Sequence, residues 1–156
     1  MNILEETRKS DPGAYLSPEQ LAELEKIDHL MAARVRSARK AQQMESVVLK
    51  NVIEPILKKF DFAANASFHR EKCYRDVGMV YRHCVFAMLS DDMEMLENKL
   101  LFWLRKILQS QNFPQGNESI RSTYALLLKE TERQLPPEEF RLLNPYLARA
   151  AAILPS

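Results

Sequence analysis

The sequence predicts an all-α protein. Only 3 of its 156 residues are glycine, whereas 46% are hydrophobic and 28% charged, a balance that favours compact helices over a sheet protein rich in turns. Apolar residues recur at helical spacing along most of the chain, and helix-start signals stand ahead of them. No stretch reads convincingly as a strand.

The elements follow in order. Ser17-Pro18-Glu19-Gln20 is a helix start, with Ser as N-cap, Pro in the first turn and Gln three residues after the cap. A stripe then runs through Leu21, Leu24, Ile27, Met31 and Val35, and resumes at Val48, Val52, Ile56 and Phe60. Pro55 is expected to kink or break that helix. Residues 61–65 read as a connection, and a helix from about Ser67 to Leu89 follows. Asp91 with Glu94 resembles a capped start for a helix reaching about Gln111. Pro114-Gln115-Gly116-Asn117 reads as a turn, and the next helix carries Ile120, Tyr124, Leu127 and Leu128. Pro136-Pro137 ends it, and short helices are expected from Glu138 to Leu154. The group Met79, Met88, Met93 and Met95 reads as core filler, since Met packs irregular gaps.

Length points to one domain over residues 1–156, large enough for a real core. A net charge of +1 offers no global attraction for nucleic acid, and the arginines do not form a basic stripe with interleaved aromatics. No apolar run reaches membrane-spanning length and no signal peptide is apparent at Met1-Asn2-Ile3-Leu4, so no membrane insertion and a cytoplasmic location are expected. Cys73 and Cys84 lie eleven residues apart on one helix, roughly 16 Å by rise, too far for a disulfide. Phosphate loops and hydrolase nucleophile motifs are absent, and the expectation is a binding protein rather than an enzyme.

The candidate site is Lys72-Cys73-Tyr74-Arg75-Asp76. Cys73 and Asp76 are three residues apart and therefore neighbours on a helix face. On a tetrapyrrole the thiol can bond covalently while the carboxylate accepts hydrogen bonds from pyrrole N–H groups. Lys72 and Arg75 suit propionates, Lys as a point charge and Arg as a bidentate fork, and His69 and Arg70 add to these cations. His69 and His83 stand fourteen residues apart, about 21 Å by rise, and cannot share one iron; either alone keeps a haem-binding globin open as an alternative. His69 and Cys73, at i and i+4, lack a third metal ligand nearby, so no metal site is expected.

From Cys73 onward the chain resembles a phycobiliprotein subunit of the allophycocyanin and phycocyanin type. The resemblance is carried by Cys73-Tyr74-Arg75-Asp76, Val80-Tyr81-Arg82, Ala87, Ser90-Asp91-Asp92, Leu96-Glu97, Leu104-Arg105 and Pro114. Nearer the start, Asp11 followed by Tyr15-Leu16-Ser17-Pro18 is similar to the family's Asp-x-x-x-Tyr-Leu-Ser signature. The resemblance implies a globin-like phycobiliprotein fold with an N-terminal helical extension, residues 1–33. It also implies a linear tetrapyrrole (phycocyanobilin or biliverdin) as cofactor. Cys73 would form a thioether to ring A, Asp76 would bond the inner pyrrole nitrogens, and Lys72 and Arg75 would approach propionates. The role it implies is in bilin synthesis or transfer, or in light harvesting. A helical interaction or sensory module without pigment, its pocket filled by Trp103, is the competing expectation.

Three departures from the family stand out. The loop before the Cys73 helix is shortened to Asn65-Ala66, which removes a device the family uses for ring-shaped trimers. Trp103 stands where the family usually has Gly, and Phe86 replaces a common Tyr. These point to an outlying member, such as a bilin biosynthesis-associated globin. The family also pairs an Asp just before Tyr-Leu-Ser with an Arg on the Cys-bearing helix across two subunits. That implies a dimer, homodimeric or with a related subunit, through the N-terminal helices with Asp11 and Arg82. Ile3-Leu4 and the stripe Leu21, Leu24, Ile27 are expected to supply its apolar surface.

Overall fold

A computed structural model describes residues 3–60, 66–110 and 116–155. The expected connection at 61–65 and the Pro114-Gln115 part of the expected turn lie outside these residues. So do the side chains of Ile3 and Leu4.

Among the described residues eight α-helices follow one another: α1 (Ile3–Lys9), α2 (Pro18–Glu25), α3 (His29–Phe60), α4 (Ala66–Ser90), α5 (Met93–Leu96), α6 (Phe102–Gln109), α7 (Gly116–Gln134) and α8 (Pro137–Ile153), with a π turn at Glu97–Leu101. No strand occurs among the described residues. The α2 start matches its sequence signal. The Ser17 hydroxyl accepts from the Gln20 amide at 3.1 Å and the Gln20 side chain accepts from the Ser17 amide at 2.9 Å, so two otherwise orphaned donors are satisfied reciprocally.

Elsewhere the boundaries differ from expectation. The stripe from Leu21 to Val35 is split between α2 and α3, and the Asp28 carboxylate caps the new helix by accepting from Met31 N–H at 2.8 Å. Pro55 does not break α3, and Pro145 sits inside a single α8 where short helices were expected. Both prolines are exposed, so the carbonyl each leaves without its amide partner can turn to water. Asp92, not Asp91, caps α5, accepting from Met95 N–H at 2.9 Å. Asp91 instead ends α4 at φ 52°, a left-handed position that Asp tolerates. There its carboxylate lies 3.5 Å from Arg34 and accepts from the Tyr146 hydroxyl at 3.3 Å. Gly116 and Asn117 open α7 rather than sitting in a turn.

One apolar cluster joins the helices. α3 is its axis, packed closely against α4 and α7, with α8 across α7. Leu101, Leu104, Leu127, Leu143 and Leu147 are almost fully buried in it, as is Met88, while Met79, Met93 and Met95 pack at its edge. The expected apolar surface on the N-terminal arm needs correction: Leu21 and Leu24 are buried in the chain's own core, and only Ile27 of that stripe is exposed.

Polar ties cross the core at defined points. The Tyr81 hydroxyl donates to the Ala41 carbonyl at 2.7 Å, Ser37 to the Glu139 carbonyl at 2.7 Å, and Asn51 to Glu130 at 2.7 Å. Glu45 on α3 is a hub. It accepts from the Tyr15 hydroxyl at 2.7 Å and takes Arg82 bidentately at 2.9 and 3.0 Å. Asp11 accepts from the Gly13 amide at 2.8 Å. A Cβ on Gly13 would meet that carboxylate at 3.2 Å and the His83 ring at 3.4 Å, so glycine lets the N-terminal arm lie close against α4.

Candidate chromophore site

Two helices build the site by the same arithmetic. On α4, His69, Lys72, Cys73, Asp76 and Val77 follow the i, i+3, i+4, i+7, i+8 spacing that puts side chains on one helix face. On α7, Gly116, Ser119, Ile120, Thr123 and Tyr124 repeat it. These two rows face each other across a cavity of about 80 Å³, closed by Ile56 of α3 and Leu108 of α6.

Each candidate residue has a definite place. His69, Lys72, Cys73 and Asp76 line the cavity. Arg75 points outward but donates from Nε to Asp76 Oδ1 at 3.1 Å, holding the carboxylate from outside. Arg70 lies outside the lining and is engaged by Glu54 of α3, which also accepts from the Tyr74 hydroxyl at 2.9 Å. His83 also lies outside the lining. Its Nδ1 bonds the Met79 carbonyl at 2.7 Å, and burial pushes the imidazole below its usual range. Trp103 is 52% exposed on α6 and lines none of the cavity, so it neither fills nor caps it. Cys84 is fully buried in the core, and Cys73, half-buried, is the thiol at the cavity. Among the described residues no three His, Cys, Asp or Glu side chains gather to hold a metal.

The electrostatics are set by Asp76. Its side chain is only 11% exposed, and the cations around it are Arg75 outside and Lys72 along the wall. Burial raises the Cys73 thiol above the ordinary cysteine range and the Asp76 charge adds to this, while Lys72 opposes it. Tyr124, buried and near Asp76 and Cys73, is likewise held far on the protonated side, so its hydroxyl can donate. Ser119 and Thr123 spend their protons on the Gly116 and Ser119 carbonyls at 2.9 and 2.6 Å. Their oxygens are left with lone pairs to accept.

The sequence does not by itself mark the α7 wall as part of a site. Ile120, Tyr124 and Leu127 read there as an ordinary core stripe, and Ser119 and Thr123 beside them were the signal for a mixed face.

A reactivity test follows directly. Cys73 alkylation by iodoacetamide is expected to accelerate with pH past the range of a free thiol, because only the thiolate attacks and its formation is disfavoured here. Asp76→Asn removes a raising charge and should speed alkylation a few-fold at neutral pH, whereas Lys72→Gln should slow it. Rates measured by mass spectrometry decide this, and an unchanged rate in Asp76→Asn contradicts the placement. Cys84 should react only on unfolding.

The chemistry of the lining fits a linear tetrapyrrole. It offers a thiol, a carboxylate, the Lys72 cation, an imidazole, a hydroxyl donor in Tyr124, hydroxyl acceptors, and apolar walls from Ile56, Val77, Leu108 and Ile120. The volume is well below the roughly 300–1,000 Å³ of a site that encloses a drug-sized ligand. An opening of that size has room for no more than one end of such a molecule. Compared with known proteins, residues 8–154 match the family described as Phycobilisome protein. No curated protein matches the chain.

Proposed function

Because the chain belongs to the phycobilisome protein family, with the all-α, globin-like phycobiliprotein fold, we propose that its α4–α7 cavity holds one end of a linear tetrapyrrole, phycocyanobilin or biliverdin, bonded covalently to Cys73. The carrying observation is that Cys73 and Asp76 stand one turn apart on the same cavity wall, with Lys72 and His69 beside them. When bound, the pigment supplies visible absorption. The protein binds it without turnover, as one domain over residues 1–156, in bilin synthesis or transfer or in light harvesting. The shortened loop favours the former, and a cytoplasmic location accords with either. No helix among the described residues is long and apolar enough to cross a membrane.

The residues divide the work. Cys73 would hold the pigment through a thioether to ring A, an addition of S–H across a carbon–carbon double bond that would need no oxidant. Asp76 presents negative charge to the inner N–H groups and favours their protonated form. Lys72, Arg75 and Arg70 form a cationic flank for propionates, with His69 beside them and Arg70 already braced by Glu54. The two-fold contact through Asp11 and Arg82 belongs to the same reading, but Arg82 must serve it while bound to Glu45. Arg82→Glu should weaken association, and adding Asp11→Arg should partly restore it.

Co-expression with a haem oxygenase and a bilin reductase should give a coloured protein with zinc-enhanced fluorescence on a denaturing gel. Asp76→Asn should keep the colour but lose the pigment proton at lower pH, with a weaker red band. A colourless protein in every bilin background overturns the reading.

A further inference from the structure

His83 is a buried titratable group that the chromophore site does not use. It stands on α4, is 8% exposed, and bonds the Met79 carbonyl through Nδ1 at 2.7 Å. A carbonyl only accepts, so Nδ1 carries the hydrogen and Nε2 is the nitrogen left to take up a further proton.

The N-terminal arm covers this ring. A Cβ on Gly13 would stand 3.4 Å from His83 Cε1, and α1 packs on α4 with Thr7 buried. The charge facing the ring from the arm is Asp11, whose Oδ1 is already taken by the Gly13 amide at 2.8 Å. On α3, Glu45 is occupied by the Tyr15 hydroxyl and by Arg82, the residue next to His83 on α4. Burial disfavours an imidazolium here, and the Met79 carbonyl and Asp11 favour it; burial outweighs both.

We propose that His83 is an acid-sensitive latch for the N-terminal arm: a proton taken up by the imidazole drives α1 and the Asp11–Ala14 turn off α4, so that water reaches the charged ring. Tyr15, tied to Glu45 at 2.7 Å, and Leu16, 6% exposed, form the fixed end of the moving segment. The docked ring binds a proton less readily than the released one. Docking is therefore strongest above the ordinary imidazole range of about 6.5 and weakens as pH falls through it. The device needs neither pigment nor a second copy.

Hydrogen exchange of the full chain, read by mass spectrometry and divided by the intrinsic rate at each pH, tests this. The amides to follow are Ser10, bonded to the Thr7 carbonyl, Ala14, bonded to the Asp11 carbonyl, and Gly13. Their protection should fall about three- to tenfold from about pH 7.5 to about pH 5.5, while the α4 amides from Val80 to Ala87 keep theirs. His83→Gln keeps a donor for the Met79 carbonyl but cannot charge, so its arm should be equally protected at both pH values. Asp11→Asn keeps an oxygen for the Gly13 amide but removes the charge that favours the imidazolium, so its loss should exceed the parent's. If His83→Gln is already unprotected at the higher pH, Asp11→Asn decides, and a loss no greater than the parent's overturns the proposal. A parent without the loss overturns it, as does an equal loss in His83→Gln or a loss that spreads through α4. A loss that vanishes at tenfold higher protein concentration assigns the change to a departing partner and also overturns it.

Discussion

Cys73→Ala is expected to abolish the covalent pigment altogether. The adduct requires a nucleophilic sulfur at the cavity, and among the described residues the other thiol is Cys84, buried in the core with its proton held on by desolvation. Denaturing gels of coloured preparations should show zinc fluorescence in the parent and in Cys84→Ala, and none in Cys73→Ala. Weak native colour can persist in Cys73→Ala, because Asp76, Lys72 and the Tyr124 hydroxyl remain in the lining. Labelling that survives the Cys73 change, or disappears with the Cys84 change, contradicts the assignment.

The largest stability effect at a single polar group is expected at Glu45. Its side chain is 15% exposed and holds both the Tyr15 hydroxyl and the Arg82 guanidinium, tying the segment after α1 to α3 and α4. Glu45→Ala leaves a phenol and a cation without their acceptor. Charged hydrogen bonds of this kind contribute about 1.5–3 kcal/mol each when buried. Arg82 is 38% exposed and regains water, so about 2 kcal/mol in total is expected, a fall in Tm of roughly 4–8 °C for a chain of this length. Tyr15→Phe should cost about half as much. An unchanged Tm in Glu45→Ala would mean that the hub is not formed in solution.

Much of this was legible in the sequence, and the reasons are specific. The Ser17 capping box and the apolar stripe Val48, Val52, Ile56 and Phe60 of α3 are local signals, and they appear where the residues put them. The grouping of Cys73 with Asp76 and Lys72 follows from helix spacing alone. The misread features depend on what lies across the core. Pro55 and Pro145 are tolerated because they face solvent, which no local pattern states. Leu21 and Leu24 look like a free stripe until the rest of the core covers them. Asp91 and Asp92 are both plausible caps, and Arg34 and Tyr146, from distant elements, hold the first in a different role. The α7 wall and the Glu45 hub join residues tens of positions apart, so periodicity showed the helices without showing which faces would meet.

The most direct test of the account is peptide mapping of the coloured protein. Trypsin cleaves after Lys72 and Arg75 and leaves Cys73 in the tripeptide Cys73-Tyr74-Arg75, while Cys84 falls in the peptide His83–Lys99. The account predicts a tetrapyrrole mass and visible absorbance on the tripeptide, with the peptide from His83 unmodified. Pigment recovered on the His83–Lys99 peptide, or an unmodified tripeptide from a protein that stays coloured after denaturation, would contradict it.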